Sequence, residues 1–512
     1  MSQNDLRQSS RPTRRLSGGF ASFARGVLLA VAAVSVVGCG GLKEWYRNGF
    51  KVGPNYLPPP SPAAASWIDE TDSRILKTPP APMAWWTQFD DPVLNNLVEY
   101  AYNQNLDFKA AGTRIMQARD QRNIVRSNLL PQSQQAVGFF AHAQVTKNIK
   151  LPIPSLLNLW GSGLNISWEP DFWGRYRRAI ESANASLDAG VDARNDALVL
   201  LLSEVAQSYV QIRDFQQRLI LARHNVEIER GSLKLADTKF AEGQTSELDV
   251  QQARSSLAQT ESLIPALEVG LRQSNNQLCL LLGMPMRDLI VELGEGPIPT
   301  APETIAAGVP AELLRRRPDI RRAEREVAAQ SAQIGIAKSD LYPRFGIFGF
   351  LGYAADDFQN LFALKSFTGL VLPTFQWQIL NYGRVKNNIG VQRSKFDEKV
   401  LVYQQTVLRA GQEAEDALVG FLKAQEQTRK LAESVKAAER SVELVLDQYR
   451  EGSVDFNRVY NVQSLLVTQQ DELATARGNI ALQMIKAYQA LGGGWEPFCE
   501  REASAAAGRS GH

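Results

Sequence analysis

The chain reads Leu164-Asn165-Ile166-Ser167-Trp168-Glu169 and then Trp173-Gly174-Arg175. With Gly174 and Gly383 standing 209 positions apart, it reads again Thr374-Phe375-Gln376-Trp377-Gln378-Ile379 and then Tyr382-Gly383-Arg384. Each copy alternates apolar with polar residues, the pattern of a strand with one covered and one open face. Leu164, Ile166 and Trp168 share one side; in the second copy Phe375, Trp377 and Ile379 do. Partner strands are expected at 136–146 and 344–353, where the alternation is poorer. An ordinary antiparallel sheet on a core would alternate in the same way. The outward aromatics suit an interfacial girdle instead, and no other apolar segment is available to cover that face, which favours a barrel in a membrane.

Downstream of each copy the period changes to seven. Leu198, Val205, Ile212, Leu219, Val226, Leu233 and Phe240 form one series; Val407, Ala414, Phe421, Val435, Val442 and Tyr449 follow the same phase in the copy, with Thr428 as the lapse. After a glycine the series restarts with Val250, Leu257, Ile264, Leu271 and Leu278, and with Val459, Leu466, Leu473, Ile480 and Ala487. These are coiled-coil seams, so each unit is a helical hairpin turning at Gly243 or Gly452. Both glycines fit a left-handed helix end, Thr245 or Ser246 is placed to cap the returning helix, and Pro265 predicts a kink or break. A helix from Ala179 to Glu242 would run about 95 Å. The spacing of 209 also relates Gly283 to Gly492, whereas Pro131 and Pro343 stand 212 apart, so the chain is a tandem duplication with one small length difference. Repeats complete one another's apolar faces. Four strands cannot close a barrel, and an open sheet would leave backbone groups unsatisfied in lipid. Several chains must combine; three would supply twelve strands and twelve long helices.

Composition adds exclusions. The 512 residues are 44% hydrophobic and 21% charged with a net charge of +2, which suggests neither nucleic acid nor an acidic partner. Arg315-Arg316-Arg317 is followed by Asp319, Glu324 and Glu326 interleaved with further arginines, which reads as a solvated helix face. His142, His224 and His512 are scattered without metal-ligand spacing, and no nucleophile or phosphate cradle is evident, so neither catalysis nor a cofactor is expected. Near the N-terminus, Arg11, Arg14, Arg15 and Arg25 precede an apolar run from Gly26 to Val37, too short to span a bilayer but suited to a signal peptide. Val36-Val37-Gly38-Cys39 resembles a bacterial lipobox, with an ordinary signal peptide as the alternative. Cys279 sits among leucines and reads as buried.

The residues resemble the bacterial outer-membrane efflux protein family of the TolC and OprM type, in its NodT-like lipoprotein branch. Its carriers are Val52-Gly53-Pro54-Asn55-Tyr56, Trp85-Trp86-Thr87-Gln88-Phe89-Asp90-Asp91-Pro92-Val93-Leu94, Arg315-Arg316-Arg317-Pro318-Asp319-Ile320 and Ser339-Asp340-Leu341-Tyr342-Pro343. The resemblance implies a mainly α protein with a transmembrane β-barrel contribution, a homotrimeric channel-tunnel of a 12-stranded β-barrel over a 12-helix α-barrel. It implies an outer-membrane location, a lipidated Cys39, and service as the exit duct of a tripartite efflux system fed by an inner-membrane transporter of RND type through a periplasmic adaptor. A duct for type I protein secretion is the alternative, and a lipid-anchored coiled-coil structural protein is a rival from another class. The implied segments are a signal peptide at 1–38, an extended stretch at 39–85, repeats at 86–300 and 301–494, and a loosely ordered tail at 495–512. Gly243, Gln244, Thr245, Gly452, Ser453 and Val454 would be the adaptor-contacting tips. Asn457 and Asn461 stand where the family narrows its pore with a bulky apolar residue and an aspartate ring; here both are neutral amides, and an ordinary surface role is the alternative. The eleven residues from Gly40 to Phe50 form a longer link behind Cys39 than is usual in this branch.

Overall fold

The computed structural model describes residues 45–78, 84–144 and 156–510, so Cys39 and the apolar leader lie outside the described residues. In chain order a two-residue strand β1 (Ile75–Leu76) leads to helices α1 (Pro92–Gln104) and α2 (Leu106–Ser127). Strands β2 (Ser133–Gln144) and β3 (Leu156–Trp168) precede the hairpin of α3 (Arg175–Ala241) and α4 (Glu247–Leu281). The second half repeats the order: β4 (Ile305–Ala306), α5 (Pro318–Ser339), β5 (Arg344–Ala355), β6 (Phe367–Gln376), then α6 (Arg384–Arg450) and α7 (Phe456–Ala490). A last helix, α8, spans Glu496–Ser510.

The outgoing helices α3 and α6 are both 67 residues and the returning helices α4 and α7 both 35. All four boundaries repeat at the spacing of 209. Sequence chemistry sets the ends. Gly243 and Gly452 have φ of +72° and +76°. Beside them the Gln244 amide donates to Lys239 O and the Ser453 amide to Gln448 O, closing the last turn with a left-handed glycine. The expected caps on the return differ from what is observed. Ser246 occupies the N-cap position of α4 without a side-chain cap bond, and Thr245 Oγ1 instead donates to the Asp249 carboxylate. On α7 the cap is Asp455, which accepts from the Arg458 amide at 3.2 Å. Pro265 does not break α4, which runs through it unbroken. That proline is exposed, so the carbonyl one turn earlier that loses its N–H donor has access to water.

Contacts divide the chain into two units: Met1–Asn55 with Arg126–Ala179 and Ala332–Gly390, and Tyr56–Val125 with Ile180–Ser331 and Val391–His512. The first holds a four-stranded antiparallel sheet in the order β2-β3-β5-β6. β6 ends at Gln376, so Trp377 and Ile379 lie past the strand instead of alternating within it. β2 covers 133–144, three residues earlier at its start than expected. The duplication reaches single hydrogen bonds: Trp168 Nε1 donates to Leu129 O at 3.2 Å, and Trp377 Nε1 to Leu341 O at 3.0 Å.

In the second unit the predicted seam is the core. Leu198, Val205, Ile212, Leu219 and Val226 are buried, as are Val407, Ala414, Phe421, Val435, Val442 and Tyr449. Phe240 departs from the series at 46% exposure, because Lys239 takes the buried place and sets its ammonium 5.5 Å from the Tyr449 ring centre. Cys279 is fully buried, as expected. The tail is not loose. Phe498 is buried and stacks on Tyr102 (4.1 Å) and Trp86 (5.7 Å), while Arg501 pairs with Glu99 at 3.0 Å.

Candidate functional site

The quoted motifs turn out to hold the fold together. Asp91 caps α1 by accepting from the Val93 and Leu94 amides, and its other oxygen accepts from Tyr209 Oη at 2.7 Å. Trp85 lies parallel to Tyr488 at 5.9 Å. Val52 and Gly53 give their carbonyls to the buried Arg178 guanidinium at 3.1 and 3.0 Å. A Cβ on Gly53 would sit 2.5 Å from the Gly335 Cα, so the two backbones touch there. Arg317, read as part of a solvated face, is instead buried. It donates to Asp319 and Glu413 at 2.7 Å and to Ala490 O at 2.9 Å, because it starts α5 against the end of α7. These residues are joints, and none presents a reacting group.

Both faces of the sheet carry apolar side chains, and they differ in where glycine interrupts the rows. Register places Leu164, Ile166 and Trp168 beside Leu351, Gly349 and Ile347, with Phe345 and Phe375 paired at the end of the same face. Most of these apolar side chains are exposed. On the opposite face Gly163 and Gly352 are direct partners. A Cβ on Gly352 would lie 2.3 Å from Ser162 O, and one on Gly163 would lie 2.6 Å from Leu351 O. The two backbones approach so closely at this pair that only glycine fits. An antiparallel sheet with many exposed apolar side chains fits a wall that faces lipid. β2 and β6, at the ends of the order, each present an edge without a partner strand among the described residues.

The hairpin turns are largely exposed. Gly243, Gln244, Gly452 and Ser453 are exposed and Thr245 and Val454 half-buried. The two ends lie side by side, because Ala236, Val250 and Ala253 of the first pack with Val445, Tyr449, Phe456 and Val459 of the second. Asn457 and Asn461 are exposed one turn apart on α7, so they share a face.

Sequence reasoning missed a polar ladder between α3 and α7. Arg218 holds Asp471 at 2.7 and 3.0 Å, Asn225 donates to Gln470 at 2.9 Å, and Gln463 donates to Ser232 at 2.8 Å. Beside it Glu229 is 3% exposed; burial raises its pKa, opposed by hydrogen bonds from Thr260 and Ser256. Burial likewise raises the Asp214 pKa against the pull of Arg218. The available signal was polar residues clustered between seam positions, which period counting passes over. Among the described residues no group of metal ligands occurs, and no helix is long and apolar enough to cross a membrane. A β-barrel needs no such helix.

Comparison with known proteins supplies the rest. A family profile described as outer membrane efflux protein matches residues 97–284 and 309–493. Nodulation protein T of Rhizobium leguminosarum bv. trifolii is 31% identical over 461 residues, covering 88% of this chain and 96% of that protein. The pyoverdine export outer membrane protein OpmQ of Pseudomonas putida is 30% identical, covering 84% and 92%. The solved outer-membrane channel OprN superposes with a TM-score of 0.82 at 32% identity, covering 87% of this chain and all of that one.

Proposed function

The chain belongs to the outer membrane efflux protein family, and from that premise we propose that it is the outer-membrane duct of a tripartite efflux system, a homotrimer giving passive exit to substrates. The observation that carries this reading is the four-stranded sheet, rich in exposed apolar side chains and, among the described residues, open at both edges. One protomer's β6 beside the next protomer's β2 satisfies those edges, and three such joints close a ring around an aqueous passage. The long hairpins form the α-helical wall by the same addition. Such a duct needs no catalytic group; cargo choice and energy come from an inner-membrane transporter, here assigned to the RND type, working through a periplasmic adaptor. The name of the OpmQ relative, which speaks of pyoverdine export, favours efflux of small molecules over polypeptide secretion.

The turns at Gly243, Gln244, Thr245, Gly452, Ser453 and Val454 are assigned as adaptor contacts, because Gly243, Gln244, Gly452 and Ser453 present exposed surface to a partner. Asn457 and Asn461 are assigned to the narrow point of the pore. Cys39 is assigned as the lipidated residue, anchoring the mature N-terminus to the outer membrane; acyl chains contribute roughly 0.8 kcal/mol per buried CH₂. Purified full-length protein added to a planar lipid bilayer tests the channel reading. Discrete, uniform conductance steps are expected, and a silent membrane under conditions that insert a control porin would refute it.

A further inference from the structure

The link behind Cys39 is folded where the structure describes it. Trp45 stacks on Phe172 at 5.2 Å, lies 5.5 Å from Trp173, and donates through Nε1 to Phe172 O at 3.3 Å. Gly49 and Phe50 reverse the chain with φ of +62° and +61°. Phe50 meets the Trp45 ring edge-on at 4.8 Å, and its amide donates to Trp45 O at 2.8 Å. Arg177 pins the reversal by donating to Gly49 O at 2.8 Å and Phe50 O at 2.9 Å, and Asn48 ties it to Lys51 O and Gly53 O.

This loop is built at a cost and buries little. A left-handed conformation is unfavourable for a non-glycine residue, yet Phe50 stays 45% exposed and Tyr46 69% exposed. Strain kept for an outward aromatic points to a partner outside the chain. The rings continue onto the sheet: Phe172, 47% exposed, meets Phe345 at 5.4 Å, and Phe345 meets Phe375 at 5.7 Å. Phe345 and Phe375 stand at the end of the face that carries Leu164, Ile166 and Leu351, so Tyr46, Phe50 and Phe172 extend that face past the strands. Arg47 is exposed among them. Aromatic rings with a nearby arginine at the rim of an apolar band match the polar–apolar boundary of a phospholipid bilayer.

We propose that residues 45–50 form a membrane-interface clip, which seats its aromatic side chains in the headgroup boundary of a phospholipid leaflet and holds the N-terminal segment beside the sheet. Five residues, Gly40 to Glu44, connect Cys39 to Trp45, so an acyl group there would enter the same leaflet within about 20 Å of the clip. The clip rests on the reading of the sheet as membrane-embedded, and it is independent of acylation.

The test uses full-length protein carrying Cys39→Ser and Cys499→Ser, reconstituted in phosphatidylethanolamine–phosphatidylglycerol vesicles with or without lipids brominated high on the acyl chain. Single bimane labels are placed through Tyr46→Cys, Leu164→Cys or Ser246→Cys. Bromolipid is expected to quench the labels at 46 and 164 at least about threefold more than the one at 246, as insertion by some 5–10 Å requires. Adding Trp45→Ala should lower quenching at 46 towards the level at 246 and leave the Leu164 label unchanged. Quenching at 164 without quenching at 46 overturns the clip alone. A label at 46 shielded from both bromolipid and aqueous iodide means a second copy of the chain covers the patch, which also overturns it. Loss of quenching at 164 as well would overturn the membrane reading beneath it.

Discussion

Arg317 and Asp192 show how single residues set the stability of the helical unit. The Arg317 guanidinium joins the start of α5 to Glu413 on α6 and to the carbonyl at the end of α7. Removing it leaves acidic partners and a carbonyl unmatched, so Arg317→Ala should cost on the order of 3 kcal/mol. Arg317→Lys should fall between, because an ammonium cannot reproduce the planar fork. Thermal midpoints of the three proteins in detergent check this, and equal midpoints would contradict it. Asp192 faces Arg321 at 2.9 Å, but burial outweighs that pull and its pKa is pushed up to about 6. The unfolded carboxyl titrates near 3.9. Between these values the folded state binds more protons than the unfolded one, so this group's contribution to stability falls as pH rises from about 4 to 6 and is level above. Asp192→Asn should remove that part of the slope in a denaturation series from pH 4 to 7; superimposable wild-type and variant profiles would count against it. Neither behaviour was legible in the sequence. A run of arginines mixed with acids looks solvated until the partners, 96 residues away for Glu413, arrive beside it.

At the scale of elements the sequence was most readable where local chemistry repeats. Both hairpins begin and end where the glycines and heptads place them, since a left-handed glycine and a seven-residue seam are properties of a few neighbouring residues. The strands were less legible. Trp377 continues the alternation of Phe375 in sequence, but its indole is drawn to Leu341 O past the end of β6. The tail was opaque because Phe498 gains its meaning from Trp86 and Tyr102, about 400 positions earlier. Pro265 removes one backbone donor and crowds the preceding turn, yet α4 runs through it as one helix instead of breaking. On α7, Asn457 and Asn461 share an exposed face. Three amides offer dipoles where three carboxylates would offer charge, so the passage should be only weakly blocked by divalent or trivalent cations. Asn461→Asp should make block strong in single-channel recordings. Equal, strong block of both proteins would remove Asn461 from the constriction.

The whole molecule is explained by incompleteness. Each protomer carries a four-stranded sheet whose two edges have no partner strand among the described residues, and a duplicated pair of hairpins; the family to which it belongs works at the outer membrane. Sequence alone exposed the shortfall, because four strands cannot form a barrel, while the close approach of the Gly163 and Gly352 backbones became visible only in the structure. Assembly is therefore the claim on which the channel, the adaptor-facing tips and the lipid-facing aromatics all depend. Electron cryomicroscopy of the full-length protein in lipid nanodiscs tests it most directly. The expected result is a threefold particle with a hollow axis, β6 of each protomer paired to β2 of its neighbour, and Leu164 and Ile166 turned to lipid. A monomer, or an assembly with those side chains packed into a solid interior and no axial passage, would contradict the account.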